Sequence, residues 1–239
     1  MIFLWRHLDM KKTLTALALT SLAFNVAAGE AEIKKALEPR FGTIEKITRA
    51  SIAGLWEVTA GGQIYYSDDK GGYAILGNLI DMKTGKNLTA ERQFAALPLD
   101  LAIKQVRGSG KNVLVTFEDP NCGYCKKLAT ELLAIKDITV YTFLMPILSE
   151  DSFEKSKAIW CSPDRSKAWI DYMTANKAPS TADGKCDLTG LGKSVSLGRK
   201  LRINGTPALF FANGDRVGGY IPVEEVEKRF KGSGSVWGS

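Results

Sequence analysis

A Cys-Gly-Tyr-Cys motif at residues 122–125 lies between two segments of different periodicity. The preceding run Asn112–Phe117 is short, apolar and rich in β-branched residues, which predicts a buried strand. The following run Cys125–Leu133 has helical spacing. Residues three apart share a helix face, so both sulfurs can meet at the helix N-terminus, where free N–H groups and the helix dipole favour a thiolate. The pattern predicts a redox dithiol in which Cys122 attacks and the more buried Cys125 resolves.

The first 28 residues have the pattern of a cleavable secretory signal peptide. Two lysines precede an apolar core at Leu14–Phe24, and the small residues Val26-Ala27-Ala28 offer a cleavage site. An 11-residue core is too short for a membrane anchor, because about 20 apolar residues are needed to span a bilayer. Met10 is an alternative start, which would make residues 1–9 an upstream extension.

The four cysteines all follow this segment, so export would place them in an oxidising compartment, where a Cys-Xaa-Xaa-Cys pair favours disulfide chemistry. The single histidine, His7, lies within the segment. Its loss excludes Cys/His nucleophilic catalysis and the common His-containing zinc sites from the mature chain. The segment carries three basic residues and one acidic residue, so its removal lowers the formal net charge from +6 to +4. So mild an excess does not favour a nucleic-acid partner.

Residues 29–90 read as a small antiparallel β module. A helix is predicted at Ala31–Phe41, and Gly- and Asp-rich turns separate the strands that follow it. The predicted strands are Ile44–Ser51, Leu55–Ala60, Ile64–Ser67, Tyr73–Leu79 and a short Leu88–Thr89. A module of this size is marginally stable alone, and its strand edges invite pairing with a second chain.

The rest of the chain reads as a second domain reached through a helical connector at Ala90–Val106, with the linker placed at residues 91–104 and the domain at 105–230. After the dithiol helix we expect a strand at Ile138–Leu144, a mostly helical stretch at Ser152–Leu201, strands at Ala208–Ala212 and Arg216–Tyr220, and a helix at Val223–Phe230. The order predicts an α+β protein with a thioredoxin-like domain and a helical insertion. Residues 231–239 are rich in Gly and Ser and predict a disordered tail.

The segment Gly205-Thr206-Pro207-Ala208 precedes an apolar strand, at the place where a thioredoxin fold carries a cis-proline beside its dithiol. A cis bond there would turn the Thr206 backbone outward. An extended client segment could then pair with it as an added strand.

Two stretches resemble the DsbC/DsbG family of bacterial periplasmic disulfide isomerases: Phe117–Leu128, which contains the dithiol, and Asn204–Ala208. The pair Gly123-Tyr124 is similar to the DsbC branch, whereas DsbG-like proteins usually have Pro-Tyr between the cysteines. Pro120-Asn121 and Lys126 depart from the DsbC pattern, and this departure concerns the tuning of the redox potential rather than the fold.

The resemblance covers about residues 29–230 and implies an N-terminal β dimerisation module, a helical linker and a C-terminal thioredoxin-like domain with a helical insertion. It implies a V-shaped periplasmic homodimer that acts on misfolded, disulfide-containing exported proteins and is kept reduced by a DsbD-like inner-membrane transporter. No cofactor or metal is implied. The implied site comprises catalytic Cys122 and Cys125, with Gly123, Tyr124, Thr206 and Pro207 supporting substrate binding.

The other two cysteines, Cys161 and Cys186, lie in the helical insertion, and two prolines and a glycine separate them. This separation suggests a stabilising disulfide, and DsbC-like proteins have a pair in the same region. In the chain-entropy model such a bridge contributes about 3–4 kcal/mol. The alternative is a four-thiolate zinc site shared with Cys122 and Cys125.

Charged residues beside the dithiol allow two interpretations each. Lys126 and Lys127 are either solvated helix charges or cations that assist the Cys122 thiolate. Glu118 and Asp119 could raise the pKa of the dithiol or relay a proton to Cys125.

The leading functional hypothesis is a periplasmic thiol:disulfide isomerase that also reduces disulfides. The alternatives are a dedicated reductase or oxidase, and a DsbG-like chaperone or sulfenic-acid reductase.

Overall fold

The computed structural model describes residues 29–179 and 186–231, in two compact units that divide between Gly77 and Asn78. The predicted signal peptide and all but the first residue of the predicted tail lie outside the described residues. Compactness alone does not define a dimerisation segment or a linker, so the boundaries at residues 90 and 105 stay predictions. No helix within the described ranges is both long enough and apolar enough to cross a bilayer.

The first unit is a helix packed on an antiparallel sheet. Helix α1 covers residues 29–41, and four strands pair in the order β1-β2-β3-β4. The strands are β1 (Ile44–Arg49), β2 (Trp56–Ala60), β3 (Gln63–Ser67) and β4 (Ala74–Ile75). Ile33 and Leu37 on one face of α1 are buried against Trp56 and Val58 of β2. Because alternate residues of β2 face this helix, a one-residue shift in strand pairing would turn Trp56 and Val58 away from the core. Edge strand β4 is only two residues long, shorter than the predicted Tyr73–Leu79.

The predicted strand at Leu88–Thr89 is wrong, because these residues begin helix α2 (Leu88–Ala95). The side-chain oxygen of Asn87 accepts a hydrogen bond from the Ala90 N–H at 3.0 Å, which caps the helix at this point. The short apolar run was therefore the first turn of a helix and not a fifth strand.

The predicted helical connector Ala90–Val106 is also wrong beyond Ala95. A 3₁₀ turn at Leu99–Leu101 leads into strand β5 (Ile103–Arg107), which pairs antiparallel with β7 at the edge of the second sheet. Ile103 and Gln105 are buried while Lys104 is exposed, so the period is that of a strand. Pro98 is unfavourable for continuing the helix, and the alternating burial of the residues that follow is typical of a strand.

The second unit has a five-stranded sheet in the order β5-β7-β6-β8-β9, in which β6 and β7 are parallel and the other pairs are antiparallel. Its further strands are β6 (Asn112–Glu118), β7 (Ile138–Leu144), β8 (Ala208–Phe211) and β9 (Arg216–Gly218). Its further helices are α3 (Gly123–Leu132), α4 (Glu150–Trp160), α5 (Arg165–Ala175), α6 (Thr189–Lys200) and α7 (Val223–Lys231). Helices α4 to α6 lie between β7 and β8 in the chain, and this confirms the predicted α+β class with a helical insertion.

Two apolar layers cover the central strand β6. On one face, Leu114 packs with Leu128 and Leu132 of α3. On the other, the rings of Phe117 and Phe143 stack with centroids 4.7 Å apart. The first of these layers holds α3 against β6, and the dithiol lies where β6 leads into α3.

Candidate active site

The two thiols of the motif lie at the N-terminus of α3, as the spacing predicts. Cys122 is the N-cap residue, and its Sγ accepts a hydrogen bond from the Cys125 N–H at 3.3 Å. The structure describes both cysteines as free thiols and both as buried: Cys122 is 6% exposed and Cys125 is fully covered. The Cys122 sulfur therefore lies at the positive end of the helix dipole, within reach of a backbone N–H.

Thr206 and Pro207 lie directly beside this thiol. The bond between them is cis, and the Sγ of Cys122 is 3.3 Å from the carbonyl oxygen of Thr206. The Thr206 hydroxyl oxygen is buried and finds no hydrogen-bond partner among the described residues. The structure thus brings together the dithiol and the segment that the sequence analysis singled out for client pairing.

A buried carboxyl group, Glu118, lies at the end of β6 near Cys125. One of its oxygens accepts a hydrogen bond from the Thr116 hydroxyl at 2.6 Å, and the other is buried without a partner among the described residues. Burial raises the pKa of Glu118 to about 7, even though the hydroxyls of Thr116 and Thr142 oppose the shift. Burial, and then the charge of Glu118, raise the pKa of the Cys125 thiol. This direction matches one of the two effects suggested for Glu118, a rise in the pKa of a dithiol cysteine.

The neighbouring Asp119 has a different surrounding. Its carboxylate accepts hydrogen bonds from the backbone N–H groups of Asn121, Ile147 and Leu148, at 2.8, 2.8 and 3.0 Å. It therefore ties the turn before Cys122 to the loop after β7. Through these contacts, Asp119 stabilises the backbone around the dithiol.

Asn121, which entered the sequence analysis only as a departure from the DsbC pattern, is the centre of a polar cluster beside the dithiol. Its amide nitrogen donates to Asp151 at 2.8 Å and to Ser152 at 3.1 Å, and its amide oxygen accepts from Lys155 at 2.8 Å. The cluster fastens the start of α4 to the dithiol turn. No local sequence pattern predicts this cluster, because Asn121 and its partners are about 30 residues apart in the chain.

Lys126 and Lys127 are engaged on the surface of α3. The ammonium of Lys126 donates to the Asn176 side chain at 2.5 Å and lies 4.9 Å from the ring centroid of Tyr172. That of Lys127 lies 4.5 Å from the ring centroid of Tyr220. These contacts match the interpretation of both lysines as helix-surface charges.

The two residues between the cysteines leave open space at the start of α3. Tyr124 is 65% exposed, and its ring stacks on that of Tyr220 at a centroid distance of 5.9 Å. A side chain at Gly123 would meet no atom within 4 Å, so the space above this position is open. A client chain can therefore approach here.

Cys161 and Cys186 are joined by a disulfide with an S–S distance of 2.10 Å. The bond ties the end of α4 to the segment before α6 and packs against a core that includes Trp160 and Trp169. Bonded sulfurs are unavailable for the alternative zinc site shared with the dithiol. Across residues 29–179 and 186–231, no cluster of three or more His, Cys, Asp or Glu is arranged to hold a metal ion.

Two family models match the chain and together cover most of it. Residues 24–90 match the disulfide bond isomerase protein N-terminal domain, and residues 99–232 match a thioredoxin-like domain. The two matches follow one another along the chain in the order that the sequence analysis predicts.

Several known proteins are similar over most of the chain. The probable thiol:disulfide interchange protein DsbC of Bordetella pertussis is 45% identical over 205 residues, which are 82% of this chain and 72% of that protein. The thiol:disulfide interchange protein DsbC of Escherichia coli is 31% identical over 212 residues, or 84% and 87% of the two chains.

Among solved structures, a disulfide interchange protein from Neisseria gonorrhoeae aligns with a TM-score of 0.54 and 41% identity. The alignment covers 58% of this chain and 99% of that one. Together with the dithiol at the helix N-terminus, these similarities show that the chain belongs to the DsbC family of thiol:disulfide interchange proteins, which are thiol–disulfide oxidoreductases.

Proposed function

We propose that this protein is a periplasmic disulfide isomerase in which Cys122 is the nucleophile and Cys125 the resolving cysteine. The observation that carries the assignment is the difference between the two sulfurs. The Sγ of Cys122 accepts an N–H at the helix N-terminus and lies against Thr206, while Cys125 is fully buried and its thiol pKa is raised.

The chemistry needs only the thiols. The Cys122 thiolate attacks one sulfur of a client disulfide, so that a bond between Cys122 and the client forms, the client bond breaks and the other client sulfur leaves as a thiolate. A client thiolate then attacks a second bridge or the mixed disulfide. When Cys122 leaves as a thiolate at the end, the client has exchanged its bridges with no net transfer of electrons.

Reduction is the competing outcome. Cys125 attacks the sulfur of Cys122, the client leaves as a thiolate, and two electrons pass to the client as the Cys122–Cys125 disulfide forms. This step requires the thiolate of Cys125, which burial and the charge of Glu118 both disfavour. A slow resolving step prolongs the mixed disulfide, and this supports isomerisation over simple reduction.

Four residues beside the dithiol are assigned to client binding. Thr206 and Pro207 offer backbone beside the nucleophile, and the open space at Gly123 next to the exposed ring of Tyr124 admits an extended chain. We assign client binding to this surface, with main-chain pairing at Thr206 as its centre.

We further propose a homodimer joined through residues 29–90. The match of residues 24–90 to the N-terminal domain of disulfide bond isomerases supports it. So does the apolar surface beside the two-residue edge strand β4, where Tyr73, Ile75 and Leu76 are 78, 51 and 67% exposed. A dimer would offer a bound client two dithiols.

The site of action and the partners follow from the same family. The sequence of residues 1–28 supports export, which would place the protein in the periplasm with misfolded, disulfide-containing exported proteins as clients. A DsbD-like inner-membrane reductant would return the two electrons that each reductive cycle consumes.

Two assays on the mature protein test the proposal. One measures recovery of a scrambled multi-disulfide protein in a glutathione buffer, and the other measures reduction of insulin. We expect activity in both. Reduction of insulin without recovery of the scrambled protein would make the protein a reductase. Prevention of client aggregation that survives Cys122→Ser, with no exchange in the unsubstituted protein, would make it a chaperone.

A further inference from the structure

An open cleft of about 380 Å³ begins at Thr206, the residue whose carbonyl oxygen meets the Sγ of Cys122. The segment 202–206 forms one side of the cleft, and edge strand β9 forms the other. All of its lining residues belong to the unit that carries the dithiol. A client segment paired with Thr206 would therefore pass directly over it.

The floor of the cleft has room for a client side chain. Ala208 of β8 and Gly218 of β9 are cross-strand partners and face the cleft together. A Cβ added at Gly218, or at Gly205 in the opposite wall, would meet no atom within 4 Å. Neither position carries a side chain that would occupy this space.

The charge of the cleft is positive. Arg216 is the cross-strand partner of Phe210, and its guanidinium carbon lies 4.8 Å from the ring centroid of Phe210. Arg202 lies at the other side with an exposed side chain and a left-handed backbone, φ 56°. The carboxylate of Asp215, the residue before Arg216 in the chain, is engaged by the guanidinium of Arg229 at 3.3 Å.

Neither Arg202 nor Arg216 forms an ion pair with any residue in the described part of the chain. Stacking on Phe210 restricts Arg216, so less side-chain entropy is lost when an anion binds. Guanidinium groups present a planar set of donors that matches a carboxylate. Two residues with such groups, Arg202 and Arg216, line the cleft.

We propose that this cleft binds an acidic side chain of the client polypeptide, near the client cysteine that Cys122 attacks. Strands rise about 3.3 Å per residue, so the Ala208–Gly218 level lies about 7 Å from Thr206 and the Phe210–Arg216 level about 13 Å. The acidic residue would then lie two to four residues from the client cysteine. The inference rests on the proposed function and adds to it a preference among clients.

The test uses the mature chain in a Cys125→Ser background, which traps the mixed disulfide on Cys122. The probes are two short peptides, each oxidised to its symmetric disulfide, with glutamate or glutamine three residues from the cysteine. The measurement is the second-order rate constant of mixed-disulfide formation for each peptide. We expect the glutamate peptide to react about fivefold faster, and the preference to shrink as salt is added.

The variant for the test is Arg202→Asn with Arg216→Gln. Asparagine tolerates the left-handed backbone at position 202, and both changes keep a polar side chain. The preference should vanish while the rate with the glutamine peptide stays the same. Lys111→Gln with Lys136→Gln is the matched control, since it removes two charges beside the first residues of β6 and β7, at the opposite end of the sheet, and should keep the preference.

Two results would overturn the inference. They are equal rates for the two peptides, and a preference that survives the double variant. If the double variant does not fold, Arg216→Gln alone should reduce the preference to about twofold or less. Absence of any adduct, with either peptide, would instead contradict the role proposed for Cys122.

Discussion

The Sγ of Cys122 lies 3.3 Å from the carbonyl oxygen of Thr206, although the two residues are 84 positions apart in the chain. The proposed nucleophile and the backbone proposed to hold the client are thus one contact apart. Under this proposal, pairing of a client with Thr206 would bring a client sulfur close to Cys122.

Replacing each dithiol cysteine separates the two roles. Cys122→Ser should abolish exchange, because the remaining thiol, Cys125, is fully buried and its pKa is raised. Cys125→Ser should accumulate protein disulfide-bonded to clients, because nothing then displaces them. Non-reducing electrophoresis and mass spectrometry of the adducts check both outcomes. Adducts that form on the Cys122→Ser variant and not on Cys125→Ser would reverse the assignment.

The pKa of Glu118 predicts a dependence of stability on pH. The pKa is about 7 in the folded protein, against an ordinary value of 4.5. As pH rises from 4.5 to 7, the unfolded chain therefore releases this proton before the folded one does, and stability falls by about 3 kcal/mol in total. Glu118→Gln should remove this loss, which urea unfolding at pH 5 and pH 8 would measure. The exposed Glu227→Gln is the control and should leave the pH dependence unchanged.

The same substitution should change the fate of the mixed disulfide. The charge of Glu118 adds to the rise in the pKa of the Cys125 thiol. Glu118→Gln should therefore increase the fraction of Cys125 present as thiolate and speed the release of reduced client severalfold at pH 8. Quenched-flow measurement of client release is the check. A slower release would mean that the carboxyl accepts the Cys125 proton, the other role suggested for it.

The Cys161–Cys186 disulfide should stabilise the fold without taking part in exchange. It closes a loop with a sequence separation of 25, and the double Ser variant should lose about 3–4 kcal/mol of unfolding free energy. The exchange rate at Cys122 should stay within about twofold at a temperature where the variant is folded. A large loss of rate in the folded variant would instead couple this pair to the dithiol.

The proposed dimer is tested at Leu76. Leu76→Lys places a charge on the apolar surface beside β4 and removes two leucines from each dimer, which should raise the dimer dissociation constant on the order of a hundredfold. Sedimentation analysis measures this constant, and insulin reduction should persist while recovery of a scrambled client falls. Leu133→Lys makes the same change at an exposed leucine of the other unit and should have no such effect. A monomeric unsubstituted protein would contradict the proposal directly.

Local patterns predicted the elements around the dithiol well. The apolar run at Asn112–Phe117 is nearly the whole of β6, and β7 coincides with the predicted Ile138–Leu144. Both strands are buried on two faces, so hydrophobicity alone marks them. The helix after the dithiol follows because its apolar positions recur at helical spacing.

Other features depend on contacts that no window of sequence contains. Strand β5 is stabilised by pairing with β7, about 35 residues later, which overrides the helical appearance of the connector. The cluster around Asn121 and the cleft lined by Arg202 and Arg216 form only when distant segments meet. The raised pKa of Glu118 likewise depends on burial, which its place beside charged Asp119 conceals.

The hydrogen bonds of Asp119 bear on how the loop after β7 can change in evolution. Its carboxylate shapes the loop after β7 by binding backbone N–H groups of Ile147 and Leu148, and not their side chains. Those side chains are 39 and 55% exposed. Substitution at either position should therefore alter the exposed surface of this loop while the path of its backbone stays the same. Natural selection or protein engineering can therefore vary this surface without moving the thiols of Cys122 and Cys125.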